Sequence, residues 1–124
     1  MITVVDTGIA PSRAPVNGTV KSGNLVFSVH VSKDPETGAM VTGDIETQTR
    51  RALGNLKMAM EAAGGSLANV MQMTIYLIDD ADAAGMNNVY REIMPQPYPV
   101  RATLVVNKLL GQGARIELMA AAVI

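Results

Sequence analysis

Strands first show themselves as alternation. In 24–31, Asn24-Leu25-Val26-Phe27-Ser28-Val29-His30-Val31, the residues Leu25, Phe27, Val29 and Val31 take one side, and Val26, Ser28 and His30 the other. Residues 70–78 behave alike, with Met71, Met73, Ile75 and Leu77 set against Gln72, Thr74 and Tyr76. Segments 2–6 and 16–21 read as weaker strands, and Ser22-Gly23-Asn24 makes a hairpin turn into the next one. Helical spacing takes over after Gly43-Asp44, where Asp44 suits a cap or first-turn acid. Ala52, Leu53, Leu56, Met60 and Ala63 then recur along one stripe until Gly64-Gly65 stops the helix. A second helix is predicted from about Asp82 to Ile93, with Met86, Val89, Tyr90 and Ile93 on one side. Pro95, Pro97 and Pro99 end it and force an extended approach to Arg101. Two final strands, about 101–107 and 115–123, flank a loop containing glycine.

The order strand–strand–helix–strand–helix–strand–strand predicts an α+β fold: a mainly antiparallel sheet with two helices packed on one face. A length of 124 residues predicts a single domain over 1–124. The other sheet face, expected to carry Val26, His30, Met119 and Ala121, has no helix left to cover it. A partly apolar face left bare on a small protein predicts an oligomer.

Composition narrows the function. With an apolar fraction of 48% the chain has ample core, yet no stretch nears the ~18 apolar residues of a membrane helix. The start, Met1-Ile2-Thr3-Val4-Val5-Asp6, lacks the features of a secretory signal, so a cytoplasmic location is expected. There is no cysteine, which excludes disulfides and thiolate chemistry, and one histidine, which makes a zinc site an unusual proposition. A net charge of −1, one Phe, three Tyr and no Trp argue against nucleic acid as a partner. Nine methionines suit an adaptable core or subunit interface.

Two residues stand out chemically. Arg101 opens a strand behind three prolines, and its rigid fork suits a carboxylate. Glu117 lies in the otherwise apolar run from Ile116 to Ile124, where partial burial raises a carboxyl toward the acid–base range. A hairpin of the last two strands about 108–114 would put Val105 opposite Glu117. Arg101 would then share its face about 13 Å away, leaving room for a small acid or for pairing across a subunit boundary. Ser28 and His30 point in parallel from one strand without a third acid, which makes a serine-hydrolase site improbable. Asn87 opens a helical segment, Asn87-Asn88-Val89-Tyr90. Gly111-Gln112-Gly113 leads into a strand and is not a phosphate loop.

Seven short motifs, taken in order, resemble the RidA/YjgF family. They are Asp34-Pro35-x-Thr37-Gly38, Gly43-Asp44-x-x-x-Gln48-Thr49, Leu53-x-Asn55-Leu56, Ala62-Ala63-Gly64, Met86-Asn87-x-Val89-Tyr90, Pro99-x-Arg101 and Ile116-Glu117. The match spans about residues 15 to 123. The resemblance implies a chorismate-mutase-like α+β fold and a homotrimer with three clefts between subunits. It implies hydrolysis of reactive 2-imino acids to 2-keto acids and ammonia, with no metal or organic cofactor. It places the carboxylate-binding arginine on Arg101, the water-handling glutamate on Glu117, the helix asparagine on Asn87 and the site serine on Ser28. Four positions depart from the family. Val29 replaces a glycine, His30 a glutamine, Val16 a tyrosine and Met119 a second glutamate, so the walls of the site differ and a shifted substrate is expected. The other readings are a non-catalytic trimer that binds a small carboxylate metabolite and, weakest given the charge and scarce aromatics, a ribonuclease.

Overall fold

The computed structural model describes all residues, 1–124. Six strands form one sheet: β1 (Thr3–Val4), β2 (Thr19–Ser22), β3 (Leu25–Val31), β4 (Val70–Leu77), β5 (Val100–Val105) and β6 (Ile116–Val123). Two helices, α1 (Ile45–Ala62) and α2 (Ala83–Ile93), follow β3 and β4. The strand order is β1-β2-β3-β6-β4-β5, and every neighbouring pair is antiparallel except β4–β5. Both helices lie on one face. Leu53, Leu56 and Met60 of α1 and Met86 and Val89 of α2 are buried against Val26, Met73, Ile75, Ile116 and Leu118 of the sheet. That is the expected α+β architecture. No helix is long and apolar enough to cross a membrane.

Local chemistry accounts for the element ends. The Asp44 carboxylate accepts from Thr47 N at 2.8 Å and caps α1. Gly64, at φ +99°, turns the chain out of the helix where a side chain would be strained. The turn between β2 and β3 is the two residues Gly23 and Asn24, with Gly23 at φ +57°.

Three sequence expectations are corrected. The last two strands do not form a hairpin. β5 runs parallel to β4 at the sheet edge, and β6 inserts between β3 and β4. The α2 crossover places β5 on the outer side of β4. The apolar run of β6, with buried Ile116, Leu118, Ala120 and Ala122, is suited to the centre instead. Val105 accordingly pairs with Leu77, while Glu117 lies between Val31 and Tyr76.

The face assignment is corrected next. Val26, Ser28 and His30 face the helices and are buried. The bare face carries Leu25, Phe27 and Val29 beside Met119 and Ala121; Leu25, Phe27 and Met119 are roughly half exposed. Phe27 is the bulkier residue, but the core accepts the smaller Val26 and a polar pair that satisfies itself. The last correction is Met71, which does not share a face with Met73. A register shift between Val70 and Gln72 turns it out to solvent.

Candidate functional site

Most of the recurrent motif residues turn out to be scaffold. Gln48 is fully buried in α1. Its Oε1 accepts from Ser32 Oγ (3.2 Å) and Arg115 N (2.8 Å), and its Nε2 donates to Gly113 O (3.0 Å) and Gly43 O (3.4 Å). Asn55 Nδ2 donates to Val31 O and Lys33 O, closing the end of β3. Asp82, almost fully buried, takes both Nε and Nη2 of Arg115 (3.0 and 2.7 Å). These contacts fix the 106–115 loop and thereby the point where β6 begins, which is where Glu117 stands.

Glu117 is half-buried on the face away from the helices. No hydrogen bond or ion pair engages its carboxylate, and burial pushes its pKa up. A protonated form is thus accessible nearer neutrality than for a free carboxylic acid. It lines a cavity of about 510 Å³ together with Val16, Val29 and His30. The outer wall is the N-terminal segment from Val4 to Ser12.

Ser28 lies just behind this wall. Its hydroxyl is 2.7 Å from Thr19 Oγ1 and 2.6 Å from His30 Nε2. Thr19, Ser28 and His30 make a buried polar chain on the helix side of β2 and β3. Burial, with a smaller contribution from the Lys33 charge, lowers the His30 pKa from 6.5 to about 4, so the ring is neutral at pH 7.

Arg101 belongs to a second constellation. Its Nη2 donates to Asn87 Oδ1 at 2.7 Å, and its Cζ lies 4.5 Å from the centroid of the Tyr90 ring. Stacking and a hydrogen bond hold the guanidinium plane against α2. A pocket of about 200 Å³ is lined by Asn87, Tyr90, Arg91, Tyr98, Pro99 and Arg101. Tyr90 is buried with a hydroxyl that has no partner, and its ring lies 5.9 Å from that of Tyr98. Neither tyrosine is among the site residues expected from the sequence. The signal for Tyr90 was its i,i+3 spacing from Asn87.

The two constellations lie on opposite faces of the sheet. Arg101 pairs in register with Met73, a core residue, and Met73 with Ala120. Glu117 pairs with Tyr76, on the face without helices. Two strand spacings of about 4.8 Å and three residues of about 3.3 Å put their backbones about 14 Å apart. The sequence geometry, with both on one face, is therefore corrected: within one chain the cation and the carboxylate do not share a cleft. Val16, Val29, His30 and Glu117 come together; Arg101 and Asn87 come together elsewhere. No group of three or more His, Asp or Glu side chains has a geometry that could hold a metal ion.

A two-helix α+β layer over a mixed, mostly antiparallel six-stranded sheet defines the class, that of chorismate-mutase-like Rid domains. A family model described as Endoribonuclease L-PSP matches residues 7–124, and the chain belongs to that family, the RidA/YjgF family its motifs resemble. It is 41% identical over 111 residues to a RutC family protein of Pyrococcus horikoshii, covering 88% of each chain. It is 31% identical over 123 residues to a protein of Dermatophagoides farinae named 2-iminobutanoate/2-iminopropanoate deaminase, covering 98% of this chain and 95% of that one. The crystal structure of RidA from an Antarctic Psychrobacter species superposes with a TM-score of 0.91 at 32% identity, covering 98% of both chains.

Proposed function

We propose that the chain is a hydrolase of reactive 2-imino acids, converting them to 2-keto acids and ammonia. It acts as a homotrimer whose clefts bring Arg101 of one subunit to Glu117 of the next. The observation that carries the reading is Glu117: a half-buried carboxylate without a partner, its pKa raised, on the wall of a cavity large enough for a small acid. The deaminase name of a relative with nearly full coverage supports the same chemistry. The split of Arg101 and Glu117 between two faces supports a site shared by two copies, and the bare apolar face supplies a surface for their association.

In this scheme Arg101 binds the substrate carboxylate through its fork, already oriented by Asn87 and Tyr90. Glu117 takes a proton from water as the oxygen bonds to the imine carbon, and passes it to the imine nitrogen. A tetrahedral hydroxy-amine results. Glu117 then moves the hydroxyl proton to nitrogen, the C–N bond breaks, and ammonia and the keto acid leave. The substrate is already an electrophile, so the scheme calls for no metal or organic cofactor. Asn87 holds the arginine. Val16, Val29 and His30 shape the cavity, and Ser28 orders His30 from behind. The family description names ribonuclease chemistry, but a net charge of −1 favours a small acid over a polyanion.

The test is keto-acid release from imines generated by an amino-acid oxidase. Arg101→Ala and Glu117→Gln are each expected to lose at least about 100-fold in kcat/KM. Wild-type imine consumption no faster than spontaneous hydrolysis, or an Arg101→Ala protein as active as wild type, overturns the assignment. Thermal stabilisation by keto acids without turnover would point instead to a metabolite-binding trimer.

A further inference from the structure

We propose that the cavity beside Glu117 receives the substrate side chain and selects 2-imino acids with bulky apolar side chains, of the leucine or methionine type, over the three-carbon alanine type. The inference rests on the hydrolase reading and adds the substrate class. Its starting point is size. Within the single chain the cavity measures about 510 Å³, in the range of pockets that bury ligands well beyond a three-carbon acid.

The second point is the wall. Six apolar residues, Val4, Val5, Ile9, Val16, Val29 and Val31, line one cavity. None of the six is buried, and Val4 and Val16 are each 58% exposed. Apolar surface gathered around a concavity is stabilised when an apolar group displaces its water.

The third point is that the wall's polar side chains bond mainly to the wall itself. The Asp6 carboxylate accepts from Gly8 N, Thr7 Oγ1 from Ile9 N and Ser12 Oγ from Ala14 N. Lys33 Nζ donates to Ala10 O, and His30 is engaged by Ser28. Of the four ionisable residues that line the cavity, Asp6, His30, Lys33 and Glu117, Glu117 alone has a side chain without a partner. An apolar substrate side chain leaves every one of these contacts in place. The cavity thus offers one free carboxylate for the chemistry and an apolar volume beside it.

The experiment compares imines made in situ from alanine, leucine and methionine, each rate divided by that imine's spontaneous hydrolysis. Leucine- and methionine-derived imines are expected to exceed the alanine-derived one by at least about tenfold in kcat/KM. Val16→Tyr, at an exposed position that tolerates bulk, fills the mouth of the cavity and is expected to shrink that preference to a few-fold or less. Calorimetric binding of 4-methyl-2-oxopentanoate and pyruvate is measured in parallel, with tighter binding of the larger acid expected. Hydrolysis that runs as well or better on the alanine-derived imine overturns the side-chain inference and leaves the hydrolase reading standing, as does an unchanged preference in Val16→Tyr. If no imine is hydrolysed, the hydrolase reading falls and binding decides. Pyruvate held as tightly as 4-methyl-2-oxopentanoate then overturns the cavity's selectivity, and tighter binding of the larger acid supports it.

Discussion

His30 shows how burial sets the behaviour of a single side chain. It is 6% exposed, its Nε2 lies 2.6 Å from Ser28 Oγ, and its pKa falls from 6.5 to about 4. An unfolded chain takes up the proton near pH 6.5, the folded one only near pH 4. Between those values the unfolded state binds more protons, so folding stability declines as pH drops. The loss attributable to His30 is on the order of 3 kcal/mol. Urea unfolding at pH 7 and pH 4 should show this slope in wild type and a flatter one in His30→Gln, which keeps an amide for Ser28 and does not titrate. Equal slopes would mean that the ring is hydrated or already charged. Glu117 has the opposite sign. Burial raises its carboxyl, so its contribution is present below the unfolded value and is lost as pH rises through the folded one. At this scale the sequence was informative about chemical type and weak about surroundings. An isolated carboxylate in an apolar run signals partial burial. Nothing in Ser28-Val29-His30 says which side of the strand meets the helices.

Among the elements, α1 does more than cover the sheet. Through Gln48 it holds Ser32 just after β3 and both Gly113 and Arg115 just before β6. Gln48→Ala would leave Arg115 N and Gly113 O without their partner and open a small void. A cost of roughly 2–4 kcal/mol is expected in urea unfolding. Gln48→Met, which refills the volume without the amide, should recover only a minor part. Recovery to wild-type stability would show that packing, not hydrogen bonding, is what the residue contributes. Both helices and their stops were legible in the sequence, because capping and 3.6-residue spacing are local signals. The insertion of β6 between β3 and β4 was not. Strand pairing is non-local, and the tight-turn preference that suggests a hairpin for 101–123 loses to burial of the more apolar strand. One clue was available: prolines just before β5 mark an edge strand, and the edge is where β5 lies.

The whole molecule leaves a sheet face bare, with Leu25, Phe27 and Met119 each about half exposed. In the proposed trimer this face is covered by neighbouring copies. Phe27→Asp is expected to yield monomers by light scattering and to abolish imine hydrolysis, although Arg101 and Glu117 are untouched. Subunit mixing tests the shared site directly. Arg101→Ala and Glu117→Gln proteins are each expected to be nearly inactive alone. A mixed trimer would contain one cleft with both wild-type residues, so co-expression in equal amounts should restore about a quarter of wild-type activity. No recovery would show that each subunit carries a complete site of its own.

Local pattern alone settles the helices, the turns, most of the strands, the α+β class and the two residues of highest chemical interest. Each of these follows from interactions a few positions apart or from the side chain's own chemistry. Strand order, the face each side chain takes and the separation of Arg101 from Glu117 emerge only in three dimensions. They depend on which apolar surfaces find one another across the length of the chain. The same packing that buries His30 and centres β6 puts the cation on one side of the sheet and the carboxylate on the other.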